Sequence, residues 1–261
     1  MDTYIFFLIS NQSGSTLMHN LFAKCKNIIT LNSDLDNTTT EGWQWVKNST
    51  PNLDLAEQGK SYVWTEAIQS IQDQKNYKWD DVKKTWNDMW RKHQNYHNDN
   101  RIFIQKSPPD VGRAKMLFDN FENSWFICQV RNPYIVSEGV MRRRGDGDIR
   151  RAARHAVKVL SIQKWNIENT QNLLAWRYED IPIIPEKIEN LINEAIPDIN
   201  SFSFNQQVYA TSLDGYIKRG FENLNNRQLE RLDERQIRII NEEIDVHEDA
   251  FKFFKYERIT K

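Results

Sequence analysis

The sequence is poor in several features that would point directly to a function. Its 261 residues include only two cysteines, Cys25 and Cys128, which excludes a disulfide framework and a cysteine-rich metal site. The formal net charge of −1 gives the chain no general attraction to nucleic acid or to an anionic membrane. The apolar run Tyr4–Ile9 is too short to span a membrane and lacks the basic start of a signal peptide. We therefore expect a cytoplasmic protein with no nucleic-acid or membrane partner.

What the chain does have is an alternation of short apolar segments rich in β-forming residues with longer helical patterns. This alternation predicts an α/β fold with a parallel β-sheet flanked by helices. Continuous apolar runs suit strands that are covered on both faces. The expected strands are Tyr4–Ile9, Ile28–Leu31, Arg101–Gln105, Ser124–Val130 and Leu173–Arg177. No repeat or break in composition divides the chain, so residues 1–261 are expected to form one domain.

The loop after the first expected strand carries small and hydroxyl residues and is followed by a helical pattern. Gly14 permits a tight turn, and Ser13, Ser15 and Thr16 add hydroxyl donors. Successive backbone amides in such a loop, together with the helix N-terminus, form a cradle for an anion. The alternative is an ordinary helix-capping turn, where serine and threonine are also preferred.

A kinase-type phosphate loop differs from this one in two respects. It needs a lysine where this chain has Ser15, and it needs an acidic residue after a later strand to hold a metal ion. The strand Ser124–Val130 is instead followed by Arg131, which attracts an anion. The sequence thus makes a P-loop kinase the less favoured function and predicts no metal site.

Four separated segments, taken in chain order, resemble the sulfotransferases that depend on 3′-phosphoadenosine 5′-phosphosulfate (PAPS). Ser10–Leu17 resembles their 5′-phosphosulfate loop, and Gln105–Pro109 resembles their Lys-Ser-Pro segment. Val130–Pro133 resembles the 3′-phosphate motif, and Trp176–Ile181 resembles the Arg-Tyr-Glu-Asp strand end. Gln228–Asp249 is similar to the closing helix of the family, and the character is nearest to the bacterial and tyrosylprotein branches.

The resemblance implies a P-loop nucleotide-kinase-like three-layer sandwich and metal-independent transfer of a sulfuryl group from PAPS. The product would be 3′-phosphoadenosine 5′-phosphate (PAP). Lys106 is the implied catalytic cation, because a compact charge on a flexible stem can follow charge from the sulfate to the leaving oxygen. Arg131, bidentate, and Ser137 are implied for the 3′-phosphate, and Tyr178 for packing near the adenine. The full set implied to bind the cofactor is Gln12, Ser13, Gly14, Ser15, Thr16, Leu17, Arg131, Ser137, Tyr178, Arg219 and Gly220.

Two positions depart from the family pattern. Gln12 stands where an arginine or lysine is usual, and Gly139 stands where a serine is expected eight residues after the motif arginine. Ser137, two residues earlier, is the expected substitute. These departures leave open a second hypothesis, a catalytically impaired protein of the same fold that binds PAP or PAPS. The retained Lys106 favours an enzyme.

The acceptor must supply a hydroxyl or an amine, and a general base must then take its proton. Asp34 is the first candidate for that base and Glu66 the second. Asp36, His93 and His97 are further candidates. The acceptor is expected to be a small molecule, a carbohydrate or a peptide.

Residues 34–100 form a long insert between the second and third expected strands. Five of its apolar residues fall on one face of a helical pattern: Trp79, Val82, Trp86, Met89 and Trp90. Core packing is the ordinary interpretation of such a face, and lining an acceptor pocket is the alternative. Further helices are expected over residues 148–172 and 226–252, with a loop around Lys218–Gly220.

A dense run of arginines follows the segment expected to carry the 3′-phosphate site and continues into the helix expected over residues 148–172. It comprises Arg142–Arg144, Arg150, Arg151 and Arg154. One interpretation is a solvated face, and the other is a surface that attracts an anionic cofactor or an acidic acceptor.

Overall fold

A five-stranded parallel sheet lies at the centre of the protein. The computed structural model of the chain describes residues 2–31, 41–50, 61–97, 99, 101–143, 147–199, 202–212 and 215–260. The strands are β1 Thr3–Ile9, β2 Ile28–Ile29, β3 Ile102–Lys106, β4 Ser124–Val130 and β5 Leu173–Arg177. They lie in the order β2-β3-β1-β4-β5, and all neighbours are parallel. The predicted parallel sheet is confirmed, with β2 shorter than expected.

Helices cover both faces of this sheet. They are α1 Ser15–Phe22, α2 Val63–Glu66, α3 Ile68–Gln72, α4 Trp79–Trp90, α5 Ala114–Asn120, α6 Pro133–Arg143, α7 Ile149–Asn169, α8 Pro185–Ala195, α9 Asn225–Leu229, α10 Glu234–Val246 and α11 Glu248–Phe253. Within β1, Ile5, Phe7 and Ile9 pack with α1 and α8 on one face. Phe6 and Leu8 pack with α4 and α5 on the other. Because strand side chains alternate between faces, an apolar run such as β1 contributes to both cores. The three-layer sandwich is confirmed.

The tryptophan-rich face of α4 belongs to the second of these cores. Val82, Trp86 and Trp90 are fully buried, and Trp79 and Met89 pack against the same cluster. Acidic residues in the first turn of α4 suit the positive end of its dipole. The ordinary interpretation, core packing, therefore holds for this face.

A two-stranded antiparallel hairpin follows α8 and was not expected. Its strands are β6 Val208–Ser212 and β7 Gly215–Arg219, with Val208 paired to Arg219. Val208 and Ala210 are buried in the core that contains α1, and Asn20 Nδ2 of α1 donates to Tyr209 O at 2.7 Å. The expectation of a loop around Lys218–Gly220 is thus wrong, because Arg219 ends a strand. The hairpin depends on packing against a distant helix rather than on a continuous apolar run.

No helix within the described ranges is both long enough and apolar enough to cross a membrane. The single domain over residues 1–261 stays a prediction.

Candidate active site

The carboxyl ends of β3, β1 and β4 meet around one cavity of about 350 Å³. Because β1 lies between its two neighbours, the loop after β1 is flanked by Lys106 on one side and Arg131 on the other. Ligands of parallel α/β sheets commonly bind at this edge. The lining comprises Asn11, Gln12, Gly14, Ser15, Thr16, Leu17, Glu41, Lys106, Pro108, Arg131, Arg142, Arg143, Tyr178, Ala210, Arg219, Leu224 and Gln228.

The loop between β1 and α1 is shaped for the approach of an anion. Gln12 and Gly14 both have positive φ, at 61° and 88°, which turns the chain sharply before α1. A Cβ on Gly14 would lie 2.9 Å from a ring carbon of Tyr178, so only glycine fits. The first turn of α1 has no acidic residue, and Ser15 and Thr16 line the cavity. Backbone amides and the positive end of the helix dipole therefore face the cavity.

Side chains behind the loop hold it in this shape. Gln129 Nε2 donates to Ser13 O at 2.5 Å, and Trp176 Nε1 donates to Gln129 Oε1 at 3.0 Å. The Ser13 hydroxyl lies 2.9 Å from the hydroxyl of Ser10, and both residues are buried. Ser13 therefore supports the loop from behind, whereas Ser15 and Thr16 are its cavity-facing hydroxyl residues.

Lys106 lies at the end of β3, almost completely buried, and forms an ion pair with Glu41. Its Nζ is 3.1 Å from Glu41 Oε1, and the Ser107 hydroxyl donates to Glu41 Oε2 at 3.3 Å. Both members of the pair line the cavity. Sequence reasoning missed Glu41, because its neighbours in the insert give no local sign that it returns to the edge of the sheet.

Asp110 fixes the relative position of the two segments that carry this pair. Its buried carboxylate accepts hydrogen bonds from Trp43 Nε1 and, at 2.6 Å, from Gln105 Nε2. Arg113 Nη1 lies 3.3 Å from the same carboxylate. Burial raises the pKa of Asp110 to about 7, with Arg113 opposing the shift. Trp43 is two residues from Glu41 and Gln105 is next to Lys106, so one carboxylate aligns both.

Arg131 is held far more tightly than Lys106. Its Nη1 donates to Gln12 O at 2.8 Å, and its Nε and Nη2 donate to Asn225 Oδ1 at 3.1 and 2.7 Å. Nη2 also donates to Gln228 Oε1 at 2.8 Å, and the guanidinium lies 4.3 Å from the Tyr178 ring centroid. Burial lowers the pKa of Arg131.

These contacts change the role expected for Arg131. An arginine has five N–H donors, and four hydrogen bonds of Arg131 go to neutral protein oxygens. One N–H is left for a ligand, whereas a bidentate phosphate contact needs two. In this structure Arg131 joins the phosphate loop to α9, and its bidentate contact with a phosphate stays a prediction.

Ser137 is not brought to the cavity. It lies fully buried inside α6, and its hydroxyl donates to Pro133 O of the same helix at 2.6 Å. The expectation that Ser137 binds a phosphate is therefore corrected: its donor is already used one helical turn back. Gly139, the other departure from the family pattern, faces Gln12 instead. A Cβ on Gly139 would lie 2.9 Å from Gln12 Cγ.

The remaining residues implied for the cofactor lie on the far wall. Tyr178 lines the cavity and donates its hydroxyl to Glu222 O at 2.8 Å, and burial raises its pKa. Arg219 also lines the cavity and donates to Gly220 O and Glu222 O at 3.2 and 3.0 Å. Gly220 thus contributes a carbonyl that orients Arg219.

Among the described residues, the candidate bases Glu66, His93 and His97 do not line the cavity. Asp34, and with it Asp36, lies outside the described residues. Glu66 is 44% exposed and pairs with Arg151, with oxygen–nitrogen distances of 2.9 and 2.8 Å. His93 is buried and accepts from Asn95 N at 3.1 Å, and His97 ends a single helical turn. Glu41 is the carboxylate that the fold places beside Lys106.

Acidic partners neutralise much of the arginine run. Arg150 and Arg154 pair with Glu243, and Arg142 pairs with Glu138 at 2.5 Å. Arg142 and Arg143 also line the cavity, so this end of the run reaches the candidate site. Arg144 lies outside the described residues.

The profile of the Sulfotransferase family matches residues 5–189 of the chain. The protein belongs to the sulfotransferase family. The match contains the phosphate loop, Lys106, Arg131 and Tyr178, and ends before the hairpin. A comparison with curated protein sequences gave no match.

Two solved sulfotransferase domains share the fold. The sulfotransferase domain from the curacin biosynthetic pathway is 15% identical with a TM-score of 0.51, covering 93% of this chain and 97% of its own. The sulfotransferase domain from the Synechococcus PCC 7002 olefin synthase is 16% identical with a TM-score of 0.52, covering 93% and 94%. Retinol dehydratase in complex with androsterone and inactive cofactor PAP gives 13% identity, a TM-score of 0.43 and coverage of 98% and 82%.

Among the described residues of this sulfotransferase, no group of three or more His, Cys, Asp or Glu side chains is arranged to hold a metal ion. The cavity instead combines helix-terminal amides with cationic side chains, a donor set that suits phosphate or sulfate oxygens.

Proposed function

We propose that this sulfotransferase moves a sulfuryl group from PAPS to a hydroxyl or amine acceptor and releases PAP. The observation that carries the proposal is the Lys106–Glu41 pair, 3.1 Å apart, beside a glycine-turned loop at the N-terminus of α1. The cavity thus offers an anion cradle, a cation and a carboxylate within one enclosure.

The residues present suit the donor. The left-handed turn at Gly14 lets the loop approach Tyr178 closely, and Ser15 and Thr16 add hydroxyl donors beside the amides of α1. These groups would hold the 5′ phosphosulfate end. The aromatic ring of Tyr178, packed against Phe221 with ring centroids 4.5 Å apart, supplies an apolar wall for the adenine.

Lys106 would neutralise the charge that develops on the leaving oxygen. In the transfer, the acceptor oxygen or nitrogen forms a bond to sulfur while the bond between sulfur and the bridging phosphate oxygen breaks, and the electron pair leaves with that oxygen. A buried ammonium stabilises such an oxygen more than an exposed one does, because water screens it less. The flexible stem of lysine lets the charge follow the group.

Glu41 would take the acceptor proton. Its carboxylate accepts from Lys106 and Ser107, and it lines the cavity, so it is oriented toward the space where an acceptor must enter. General bases act over hydrogen-bond distances. We propose Glu41 in the role that the sequence suggested for Asp34 or Glu66, with a small molecule, a carbohydrate or a peptide as acceptor.

Two measurements on the full chain test the function. Thermal unfolding is measured in the presence of PAP and, separately, of ATP plus Mg²⁺. PAP is expected to raise the melting temperature, and ATP plus Mg²⁺ is not. Transfer of labelled sulfate from PAPS is then measured against a panel of phenols, sugars, amines and peptides, with Lys115→Ala as control, because Lys115 is an exposed lysine paired with Asp119.

Stabilisation by ATP plus Mg²⁺ in place of PAP would contradict the proposal and favour the kinase. Stabilisation by PAP with no transfer of sulfate from PAPS, either to an acceptor or to water, would favour the catalytically impaired binding protein.

A further inference from the structure

Gln12 has an unusual placement in the phosphate loop. Its φ of 61° is a backbone conformation that residues other than glycine seldom adopt. Arg131 holds it there by donating to its carbonyl at 2.8 Å. Backbone strain maintained by a buried contact is typical of functional sites. The consequence of this turn is the direction in which the Gln12 side chain leaves the loop.

The side chain runs to α6, where Gly139 makes room for it. A Cβ built on Gly139 would lie 2.9 Å from Cγ, 3.1 Å from Cβ and 3.1 Å from Oε1 of Gln12. Any other residue at position 139 would push the carboxamide away. Within the described part of the chain, that carboxamide has no hydrogen-bond partner. Gln12 itself lines the cavity.

The same face of α6 carries two arginines. Gly139, Arg142 and Arg143 stand at positions i, i+3 and i+4, which places them side by side on one helix surface. Arg142 and Arg143 both line the cavity together with Gln12. A polar amide and two cations therefore surround one part of the wall, on the side of the loop away from Lys106.

A donor with two anionic ends needs a second set of hydrogen-bond donors. Arg131 can supply one N–H, because its other donors are directed at Gln12 O, Asn225 and Gln228. The hydroxyl of Ser137 is bonded to Pro133 O. Arg142 likewise directs Nε and Nη2 at Glu138, so the carboxamide of Gln12, which has no partner among the described residues, is a donor that remains for a second phosphate.

We infer that the carboxamide of Gln12, held over Gly139 and beside Arg142 and Arg143, binds the 3′-phosphate of the donor and so selects nucleotides that carry one. This inference rests on the proposed function. It assigns to Gln12 a specificity role at the second phosphate rather than at the transferred group, and it assigns to Gly139 a positioning role that acts through Gln12.

The test compares two nucleotides that differ only in that phosphate. Dissociation constants of PAP and of adenosine 5′-monophosphate are measured by titration calorimetry on the full chain, and their ratio reports the 3′-phosphate contact. Gln12→Ala should lower this preference for PAP about tenfold, the usual effect of losing one hydrogen bond to a charged group. Affinity for the monophosphate should change less than twofold.

Gly139→Ala should lower the preference to a similar extent, because the added methyl displaces the carboxamide. The double variant should lose no more than either single variant, since Gly139 acts only through Gln12. A Gln44→Ala variant serves as the control, because Gln44 is an exposed glutamine outside the cavity lining. Far-UV circular dichroism checks that each variant is folded.

The outcomes separate the two proposals. If the wild-type chain binds neither nucleotide, the proposed function fails and this inference fails with it. If PAP binds and Gln12→Ala weakens both nucleotides equally or neither, only the inference is overturned. Additive losses in the double variant would likewise overturn it, because they would show that Gly139 does not act through Gln12.

Discussion

Two cations flank the phosphate loop, and they are held in opposite ways. Lys106, 4% exposed, has one carboxylate partner, Glu41, which itself lines the cavity. Arg131, 8% exposed, makes four hydrogen bonds to neutral oxygens and stacks on Tyr178. A lysine with one described carboxylate partner must give up a single ion pair to contact a ligand, whereas Arg131 must give up several hydrogen bonds.

The comparison shows that two cations of similar burial and position can be held by very different sets of contacts. Lys106 ends β3 and Arg131 follows β4, both strands pair with β1, and both residues line the cavity. They differ in how many hydrogen bonds must break before a ligand can bind. Substitutions on the two sides should therefore change different quantities.

The largest effect is expected on the Lys106 side. Lys106→Ala should lower kcat by about 10²–10³-fold, the range seen when one stabilising donor is removed from a transition state. The affinity for PAP should change far less, because the loop amides remain. Steady-state kinetics with labelled PAPS and calorimetry with PAP measure the two quantities. An unchanged kcat would mean that Lys106 does not act on the leaving group.

Glu41→Gln keeps the shape of Glu41 but replaces one acceptor oxygen with an NH2 donor and removes the basicity. It should lower kcat by about 10²-fold, at the low end of general base catalysis. The matched variant Glu66→Gln, on the exposed residue paired with Arg151, should change kcat less than twofold. The opposite pattern would restore Glu66 as the base and would place the acceptor elsewhere.

On the Arg131 side the main effect should be on stability. Arg131→Met leaves the oxygens of Gln12, Asn225 and Gln228 without their donor, so the free energy of unfolding should fall by about 2–4 kcal/mol. Urea unfolding measures the change. Arg151→Met, which breaks an exposed pair, should cost less than about 1 kcal/mol. Equal losses for Arg131→Met and Arg151→Met would show that the contacts of Arg131 stabilise the protein no more than an exposed ion pair does.

The buried residue Asp110 contacts Trp43 and Gln105, which lie beside the Glu41–Lys106 pair. Its titration tests whether these contacts stabilise the fold. Burial raises its pKa from 3.8 to about 7, so the folded state holds a proton that the unfolded state releases. Its contribution to stability is present below pH 4 and declines as the pH rises toward 7. The free energy of unfolding is measured between pH 4 and 8 for the wild type and for Asp110→Asn. The difference, wild type minus variant, should decrease as the pH rises. A flat difference would show that Arg113 keeps the carboxylate ionised throughout.

The smallest effect is expected from a volume-conserving change at the tryptophan-rich face of α4. Met89 packs only partly against the tryptophan cluster of α4, so Met89→Leu should change the free energy of unfolding by less than about 1.5 kcal/mol. The control is Trp86→Ala at a fully buried position, which should cost about 3–5 kcal/mol. Chemical denaturation separates the two, and a small loss for Trp86→Ala would contradict the core assignment of this face.

Local patterns predicted the sheet and the phosphate loop. Strands such as Ser124–Val130 and Leu173–Arg177 have the bounds expected from their β-rich segments. Gly14 with its hydroxyl neighbours predicted an anion cradle at a helix N-terminus, and the structure places it there. These features depend on neighbouring residues, which is why the sequence alone predicts them.

Features that depend on contacts between distant segments could not be predicted in this way. Glu41 reaches Lys106 from 65 positions away. The hairpin β6–β7 packs on α1, and it was missed although its two segments are rich in β-forming residues and Asp214-Gly215 between them is a local turn signal. Ser137 was expected in the site, yet only the orientation of α6 shows that its hydroxyl faces Pro133 O.

By itself the sequence determined the parallel sheet, the loop at its edge and the presence of a cation after each of two strands, because periodicity and turn chemistry are local properties. The tertiary structure decided which of those cations is committed to other contacts and which carboxylate shares the cavity. The physical reason is that hydrogen-bond donors are few and are used once. Which partner takes each donor depends on the packing of the whole chain.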